Sequence, residues 1–198
     1  MSIERSMGES MNCLIDTLNQ AVKREGEKIF RLAVRCVESL KKGGKLLIFG
    51  NGGSAADAQH VAAEFVNRFK MERAPLPAIA LTTDSSVLTS IGNDYDFRQV
   101  FSKQVRALAR KGDIVMGIST SGTSPNVVTA LEEAKAIGAY TVLLAGQGGH
   151  GVEDAVDMAI CVPSRDTPRI QEVHLFMEHV FCDLVEQLYF GVRCDRSH

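Results

Sequence analysis

The chain has 198 residues, of which 45% are hydrophobic and 23% are charged, and its formal net charge is −2. A chain of this length can bury a core without disulfides or metals, and its charge gives no reason to expect nucleic acid as a partner. No apolar run approaches the ~20 residues of a membrane-spanning helix, so no membrane partner is expected.

The cysteines and the first residues bear on where the protein works. Five cysteines are scattered along the chain without a CxxC pair, which is typical of reduced thiols in the cytosol. Residues 1–20 are polar and of mixed charge, without the apolar core of a signal peptide. Together these features predict a cytoplasmic location.

Residues 1–43 are predicted to form a helical extension. Apolar side chains recur at helical spacing over residues 10–40, and we expect two helices that are divided near residues 24–27. Lys41, Lys42 and Gly43 then suit the end of a helix. Such a pair of helices cannot join a sheet and must bury its apolar stripe elsewhere, so we predict that the extension serves oligomerisation.

Residues 44–191 alternate between short apolar runs and helical patterns. Five runs predict strands: 45–49, 77–81, 113–118, 140–144 and 158–162. The intervening segments predict helices: 54–68, a short helix capped by Asp84 or Ser85, 97–109, a helix ending at 137, and 167–189. This alternation is typical of a parallel sheet covered on both faces. The fold class is therefore α/β, a three-layer αβα sandwich with a mainly five-stranded parallel sheet, and residues 192–198 form a C-terminal tail.

A serine-rich turn follows the third predicted strand. Residues 119–124, with the sequence STSGTS, supply five hydroxyl groups in six positions and open a helix. The N-terminus of a helix offers free N–H groups and partial positive charge, which suit phosphate. A helix cap would need only one of these hydroxyls. The turn therefore predicts a phosphate site at the carboxyl ends of the strands, where open parallel sheets bind ligands.

A glycine-rich turn, residues 50–54 with the sequence GNGGS, follows the first predicted strand. Its glycines could serve only a tight turn, and Ser54 only a helix cap. This turn matches neither the GxGxxG nor the GxxxxGK[ST] pattern, so no nucleotide cofactor is expected at it. Backbone groups of this turn would instead approach sugar hydroxyls.

Two later helices carry candidate acid–base residues. His60 and Glu64 lie on one helix face at i, i+4, about 6 Å apart along the axis. Such a pair can bind a divalent metal or exchange protons, although a surface interaction is its commoner use. His179 lies among apolar neighbours and could be a core histidine. Gln171 precedes it by about 12 Å of helix, so both reach one ion only if their side chains converge.

Five motifs together resemble the phosphoheptose isomerase (sedoheptulose 7-phosphate isomerase) family, within the wider sugar-isomerase (SIS) domain group. They are GNGGS at 50–54, His60-x3-Glu64, IGND at 91–94, ISTSGTS at 118–124 and RIQEVH at 169–174. The resemblance covers nearly the whole chain, to about Gly191. It implies an SIS fold for residues 44–191, with that domain binding a sugar phosphate.

The resemblance also implies site residues. The phosphate would be held by Ser119, Thr120, Ser121 and Ser124. The sugar would be contacted by Asn51, Gly52, Gly53, Asn93 and Asp94, with Glu64 and Gln171 also touching substrate. One zinc ion per subunit would be held by His60, Glu64, Gln171 and His179. Glutamine is an unusual zinc ligand, so Gln171 could serve the substrate alone. His174 has no implied role beyond packing or a supporting hydrogen bond.

The implied activity converts sedoheptulose 7-phosphate to D-glycero-D-manno-heptose 7-phosphate through an enediol. It is an early step toward the ADP- or GDP-heptose used in lipopolysaccharide, performed by a homotetramer with sites at subunit interfaces. Glu64 would be the base and His179 the acid, with zinc polarising the carbonyl. A carboxylate bound tightly to zinc is a poorer base, so Glu64 could be ligand and base in different states.

Two other functions are compatible with the same scaffold. One is a non-catalytic regulator that binds the replication initiator DnaA, which would not need the set His60, Glu64, Gln171 and His179. The other is an isomerase or sensing domain for a sugar phosphate of different chain length. The joint presence of the four polar side chains favours catalysis.

Overall fold

The computed structural model describes residues 2–191, apart from the side chains of His150 and Glu153, so the predicted tail at 192–198 lies outside the described residues. The strands are β1 (Leu46–Gly50), β2 (Ala78–Ala80), β3 (Ile114–Ser119), β4 (Tyr140–Ala145) and β5 (Met158–Cys161). The helices are α1 (Ile3–Lys41), α2 (Gly53–Val66), α3 (Ser85–Asp94), α4 (Ser102–Leu108), α5 (Pro125–Ile137) and α6 (Thr167–Phe190). Three 3-10 turns are found at Phe97–Gln99, Gln147–Gly151 and Glu153–Ala155.

The five strands form one parallel sheet in the order β2-β1-β3-β4-β5. Alternate side chains of each strand point to opposite faces. On one face, Leu46 and Ile48 pack into a core with α1, α2 and α6. On the other, Leu47 and Phe49 pack with α3, α4 and α5. The predicted three-layer α/β sandwich is therefore confirmed.

The predicted division of the first helix near residues 24–27 is wrong, because α1 is continuous from Ile3 to Lys41. A glycine inside a helix costs only about 1 kcal/mol, and Gly26 faces open space. The buried turns on either side hold the helix together, with Ala21 before the glycine and Ile29 after it. The packing of these buried turns outweighs the low helix propensity of Gly26.

The two halves of α1 have different surroundings. The second half belongs to the core of the same domain, where Leu32, Ala33 and Cys36 are buried against the sheet and α6. The first half leaves a row of large apolar side chains exposed, namely Ile3, Met7, Met11, Ile15 and Val22. The first half of α1 thus has an apolar stripe that residues 2–191 leave exposed, and its role in oligomerisation stays a prediction.

Smaller differences concern element ends. The segment predicted as one helix over 97–109 is a 3-10 turn followed by α4. The side chain of Asp96 accepts from the N–H of Arg98 and so starts the turn separately. No helix within residues 2–191 is long and apolar enough to cross a membrane.

Candidate functional site

The serine-rich turn gathers its hydroxyl groups at the carboxyl end of β3. Ser119 Oγ lies 2.8 Å from Ser124 Oγ and 3.3 Å from Ser121 Oγ. Ser121 Oγ also accepts from the N–H of Thr123 at 3.2 Å. Ser124 is the residue before α5, yet its side chain makes no capping bond. The hydroxyls thus gather in front of α5, where the free backbone N–H groups of a helix N-terminus suit phosphate.

The glycine-rich turn is shaped by close backbone approach. Gly52 has φ 56° and ψ −121°, a conformation that only glycine adopts readily. A Cβ on Gly50 would lie 2.9 Å from the carbonyl oxygen of Ile118. The turn therefore sits directly against the end of β3, next to the serine-rich turn.

Asn126 ties the two turns together and was not found from the sequence. Its side-chain amide donates to Asn51 Oδ1 at 2.8 Å, and the amide of Asn51 donates to Asn126 Oδ1 at 2.9 Å. Asn126 is 3% exposed. The side chain of Asn51 is thus bound to Asn126 of α5. The glycine-rich turn is left with its backbone groups to offer to a ligand. A lone asparagine after a proline carries too weak a signal to predict this pairing.

Gln171 lies over the glycine-rich turn. A Cβ added to Gly53 would collide with Gln171 Nε2. The absence of a side chain at Gly53 therefore lets the amide of Gln171 lie directly against the start of α2. The structure brings Gln171 to the turn that was predicted to contact the sugar.

His60, Glu64 and His179 form a polar cluster between α2 and α6. His60 Nε2 lies 2.8 Å from His179 Nε2 and 3.6 Å from Glu64 Oε1. The rings of Phe69 and His179 stack with centroids 5.5 Å apart. Burial lowers the pKa of His179, and the nearby His60 lowers it further, while Glu64 acts in the opposite direction. Side chains that are 119 residues apart in the chain thus meet at one place.

The donor set of this cluster suits a zinc ion. Two imidazole Nε2 atoms and one carboxylate oxygen are ordinary zinc ligands. Ligands of a tetrahedral zinc lie about 3.3 Å apart when their bonds are about 2.0–2.1 Å, so the imidazole nitrogens at 2.8 Å would have to separate by roughly half an ångström. Within residues 2–191, no three His, Cys, Asp or Glu side chains are already arranged around a metal position. The zinc role of these residues and of Gln171 stays a prediction.

Asn93 and Asp94 lie at the end of α3 and are exposed. Their side chains bond to each other, from Asn93 Nδ2 to Asp94 Oδ1 at 2.9 Å. A cavity of about 170 Å³ beside the glycine-rich turn is lined by that turn and by Thr82, Phe97 and neighbouring residues. The predicted sugar contact of Asn93 and Asp94 therefore stays a prediction.

A second glycine-rich segment, residues 146–149, supports the serine-rich turn. The N–H of Gly146 donates to the carbonyl of Thr120 at 3.0 Å. A Cβ on Gly148 would lie 2.7 Å from the carbonyl oxygen of Ser121, and one on Gly122 would lie 2.5 Å from the Cα of Gly149. Backbone thus packs on backbone, which fixes the shape of the turn. The glycine-rich composition of the segment was the signal that could have revealed it.

His174 connects α6 to the same region. It is completely buried, and its Nε2 lies 3.1 Å from the carbonyl oxygen of Ala145 at the end of β4. Burial lowers the pKa of His174 to about 4, against a smaller opposing effect of that hydrogen bond. The imidazole is thus neutral near pH 7 and donates its Nε2–H to the carbonyl. This is the packing and supporting hydrogen bond that the sequence led us to expect.

This parallel sheet, with a serine-rich turn at its carboxyl edge, defines an SIS-domain protein, and the SIS domain family model matches residues 11–146. A phosphoheptose isomerase from Roseiflexus sp. (strain RS-1) is 50% identical over 189 residues, 96% of this chain and 96% of the relative. The chain therefore belongs to the phosphoheptose isomerase family, and it is an isomerase.

Two solved structures agree with this assignment. A phosphoheptose isomerase from Francisella tularensis has a TM-score of 0.90 and 37% identity, and the match covers 94% of this chain and 100% of the other. A phosphoheptose isomerase from Neisseria gonorrhoeae has a TM-score of 0.88 and 41% identity, with the same coverage. The predicted SIS fold and the resemblance stated from the motifs are both confirmed.

Proposed function

We propose that this enzyme converts sedoheptulose 7-phosphate to D-glycero-D-manno-heptose 7-phosphate. The observation that carries the proposal is the meeting of Glu64 and His60 on α2 with His179 on α6. Membership of the phosphoheptose isomerase family supports the substrate. A base and an acid on facing helices, together with a separate turn that suits phosphate, are the parts that an aldose–ketose isomerisation of a sugar phosphate needs.

The serine-rich turn would hold the phosphate through Ser119, Thr120, Ser121 and Ser124. The phosphate is remote from the reacting carbons, so its binding energy can orient the sugar for proton transfer. The backbone of Asn51, Gly52 and Gly53, with Gln171 above it, would contact the sugar. The hydrogen bonds between Asn51 and Asn126 support this arrangement, because they keep the two turns at a constant separation.

The reaction moves one proton between adjacent carbons. The carboxylate of Glu64 would take the proton from C1 of the ketose while His179 gives a proton to the C2 oxygen, which produces the enediol. Return of a proton to C2 and loss of the proton on the C1 oxygen then give the aldose. Glu64 is 21% exposed, so its carboxylate can reach a substrate from solution.

A zinc ion is part of the proposal. His60, Glu64 and His179 would hold it, with Gln171 as a further ligand or a substrate contact. When bound, zinc would polarise the carbonyl and stabilise negative charge on the enediol oxygen. The convergence of two imidazole nitrogens and a carboxylate oxygen supports this assignment.

The wider setting is proposed on the same basis. The enzyme would act in the cytoplasm at an early step toward ADP- or GDP-heptose for lipopolysaccharide. It would work as a homotetramer, as the family resemblance implies. The first half of α1 exposes five large apolar side chains that another copy could bury.

The experiment is incubation with sedoheptulose 7-phosphate, with and without a chelator, followed by analysis of the product. We expect an aldoheptose phosphate whose formation stops on chelation and returns with zinc. Sugar-phosphate binding without any turnover would instead indicate a sensing domain. Turnover that is indifferent to thorough metal removal would exclude the zinc.

Variants separate binding from chemistry. Glu64→Gln should lower kcat by about 10²–10⁴-fold, the usual contribution of a general base. Ser119→Ala combined with Ser121→Ala should mainly raise KM. Glu72→Gln is the matched control, because this carboxylate follows α2 and is 92% exposed. Normal turnover in Glu64→Gln would remove Glu64 as the base.

A further inference from the structure

A buried ion pair lies beneath the proposed acid–base pair. Arg73, in the segment that joins α2 to β2, places its Nε 2.8 Å from Glu186 Oε1 of α6. The two side chains are 3% and 2% exposed. A buried ion pair seldom adds enough stability to offset the desolvation of its two charges. The role of this pair in the fold therefore follows from the backbone groups that each partner binds.

Glu186 organises the segment after α2. Its carboxylate accepts from the backbone N–H groups of Phe69, Lys70 and Met71 at 2.8, 3.0 and 3.1 Å, in addition to Arg73. Burial disfavours its ionised form, but these donors outweigh burial and hold the pKa of Glu186 below its ordinary value. One ionised carboxylate thus fixes three consecutive peptide groups against α6.

Arg73 holds the other side of the junction. Its Nη2 donates to the carbonyl of Glu64 at 2.7 Å, and its Nη1 donates to the carbonyl of Phe65 at 2.7 Å. These carbonyls belong to the last turn of α2, where a helix lacks its own donors. The guanidinium therefore caps α2 at the residue proposed as the base.

The same network reaches the proposed acid. Phe69, whose N–H is held by Glu186, stacks on the ring of His179 at an interplanar angle of 22°. Glu186 follows His179 by seven residues, about two helical turns, and so lies on the same side of α6. The ion pair thus connects the backbone of Glu64 to the ring that lies on His179.

We propose that Arg73, Glu186 and Phe69 are positioning residues that set the placement of Glu64 on α2 relative to His179 on α6. The inference rests on the proposed roles of Glu64 and His179, which it deepens. Arg73 fixes where α2 ends, Glu186 fixes that end to α6, and Phe69 restrains the imidazole. Loosening the network should impair proton transfer while leaving the distant serine-rich turn able to bind phosphate.

Kinetics on three variants test the proposal. Glu186→Gln and Phe69→Leu should each lower kcat at least tenfold and change KM less than threefold. Phe69→Tyr, which keeps an aromatic ring, should restore most of the turnover lost in Phe69→Leu. The control is Asp183→Asn, because Asp183 binds Lys70 at 2.9 Å in a half-exposed ion pair between the same segment and α6. An equal fall in kcat for Asp183→Asn, or a rise in KM that matches the fall in kcat, would overturn the proposal.

A second measurement does not depend on activity. In chelator-treated protein labelled at the histidine Cε1 carbon, the ring of Phe69 should shift the His179 resonance, and Phe69→Leu identifies that shift. Glu186→Gln should move the resonance at least halfway toward its position in Phe69→Leu. An unmoved resonance in folded Glu186→Gln protein overturns the proposal even if Glu186→Gln is slow. If the wild-type protein does not isomerise sedoheptulose 7-phosphate, the proposed function fails, whereas the resonance still reports whether Glu186 places Phe69.

Discussion

Replacing Glu178 with glutamine should change how the free energy of unfolding depends on pH. Glu178 lies on α6 and is 1% exposed, and neither of its carboxylate oxygens has a hydrogen-bond partner among the described residues. Burial, together with the negative charge of Asp57, raises the pKa of Glu178 to about 8. The side chain is therefore a neutral acid in the folded protein near pH 7.

The sign and size of the effect follow from proton linkage. In the unfolded chain the ordinary pKa is 4.5, so between pH 4.5 and 8 only the folded state keeps the proton. Stability should then fall by about 1.4 kcal/mol for each pH unit as the pH rises through this window, and level off above it. The whole window of about 3.5 units corresponds to at most about 4.8 kcal/mol. Glutamine has no proton to lose, so the variant should lack this slope.

Urea denaturation at one protein concentration, after chelation, measures the effect. Wild type and Glu178→Gln are compared at pH 6, 7 and 8, so that all other titrating groups cancel in the difference. Glu178→Met provides a second neutral side chain, and Glu72→Gln an exposed control that should leave the slope unchanged. If the free energies of wild type and Glu178→Gln run parallel across this range, then Glu178 is ionised in the folded protein and the reasoning is refuted.

Two further substitutions should change the stability of the protein in acid and its binding of the sugar phosphate, respectively. His174 has a pKa of about 4 when folded against 6.5 ordinarily, so as the pH falls from 6.5 to 4 the unfolded state gains a proton and stability falls by about 1.4 kcal/mol per unit. His174→Gln should remove this acid sensitivity in urea titrations between pH 4.5 and 7, and an unchanged slope would contradict it. Gly148→Ala should push on the carbonyl of Ser121, 2.7 Å from the new Cβ, and raise KM for the sugar phosphate roughly tenfold, as expected for a lost phosphate contact of about 1.4 kcal/mol. Gly151→Ala, whose new Cβ would have no described atom within 4 Å, should behave as wild type. Equal KM values for both variants would exclude the support role of the segment.

The strands of the core could be predicted because their sequence signals are local. Strands that are buried on both faces, such as β1, are continuous apolar runs, and all five were predicted. The position of the serine-rich turn between β3 and α5 was also predicted, because its composition is distinctive over six consecutive residues. In both cases the chemistry and the periodicity lie within a few consecutive residues.

The helix interruption that was predicted near Gly26 shows where local sequence signals fail. A glycine among charged residues is typical of a helix end, but α1 continues because its buried face is held by α6 and the sheet. Helical stability in proteins comes mostly from such packing rather than from propensity. The sequence shows the propensity, and only the tertiary structure shows the packing.

The sequence by itself determined the sandwich, the order of its elements and the composition of the two turns, while resemblance to a family grouped His60, Glu64 and His179. Only the tertiary structure decided that His60 and His179 touch, that Asn51 pairs with Asn126, and that a buried ion pair lies beneath the cluster. The physical reason is that these contacts join residues 75–119 positions apart. Such contacts arise from strand order and helix packing, and no pattern among residues that are close in sequence reveals them.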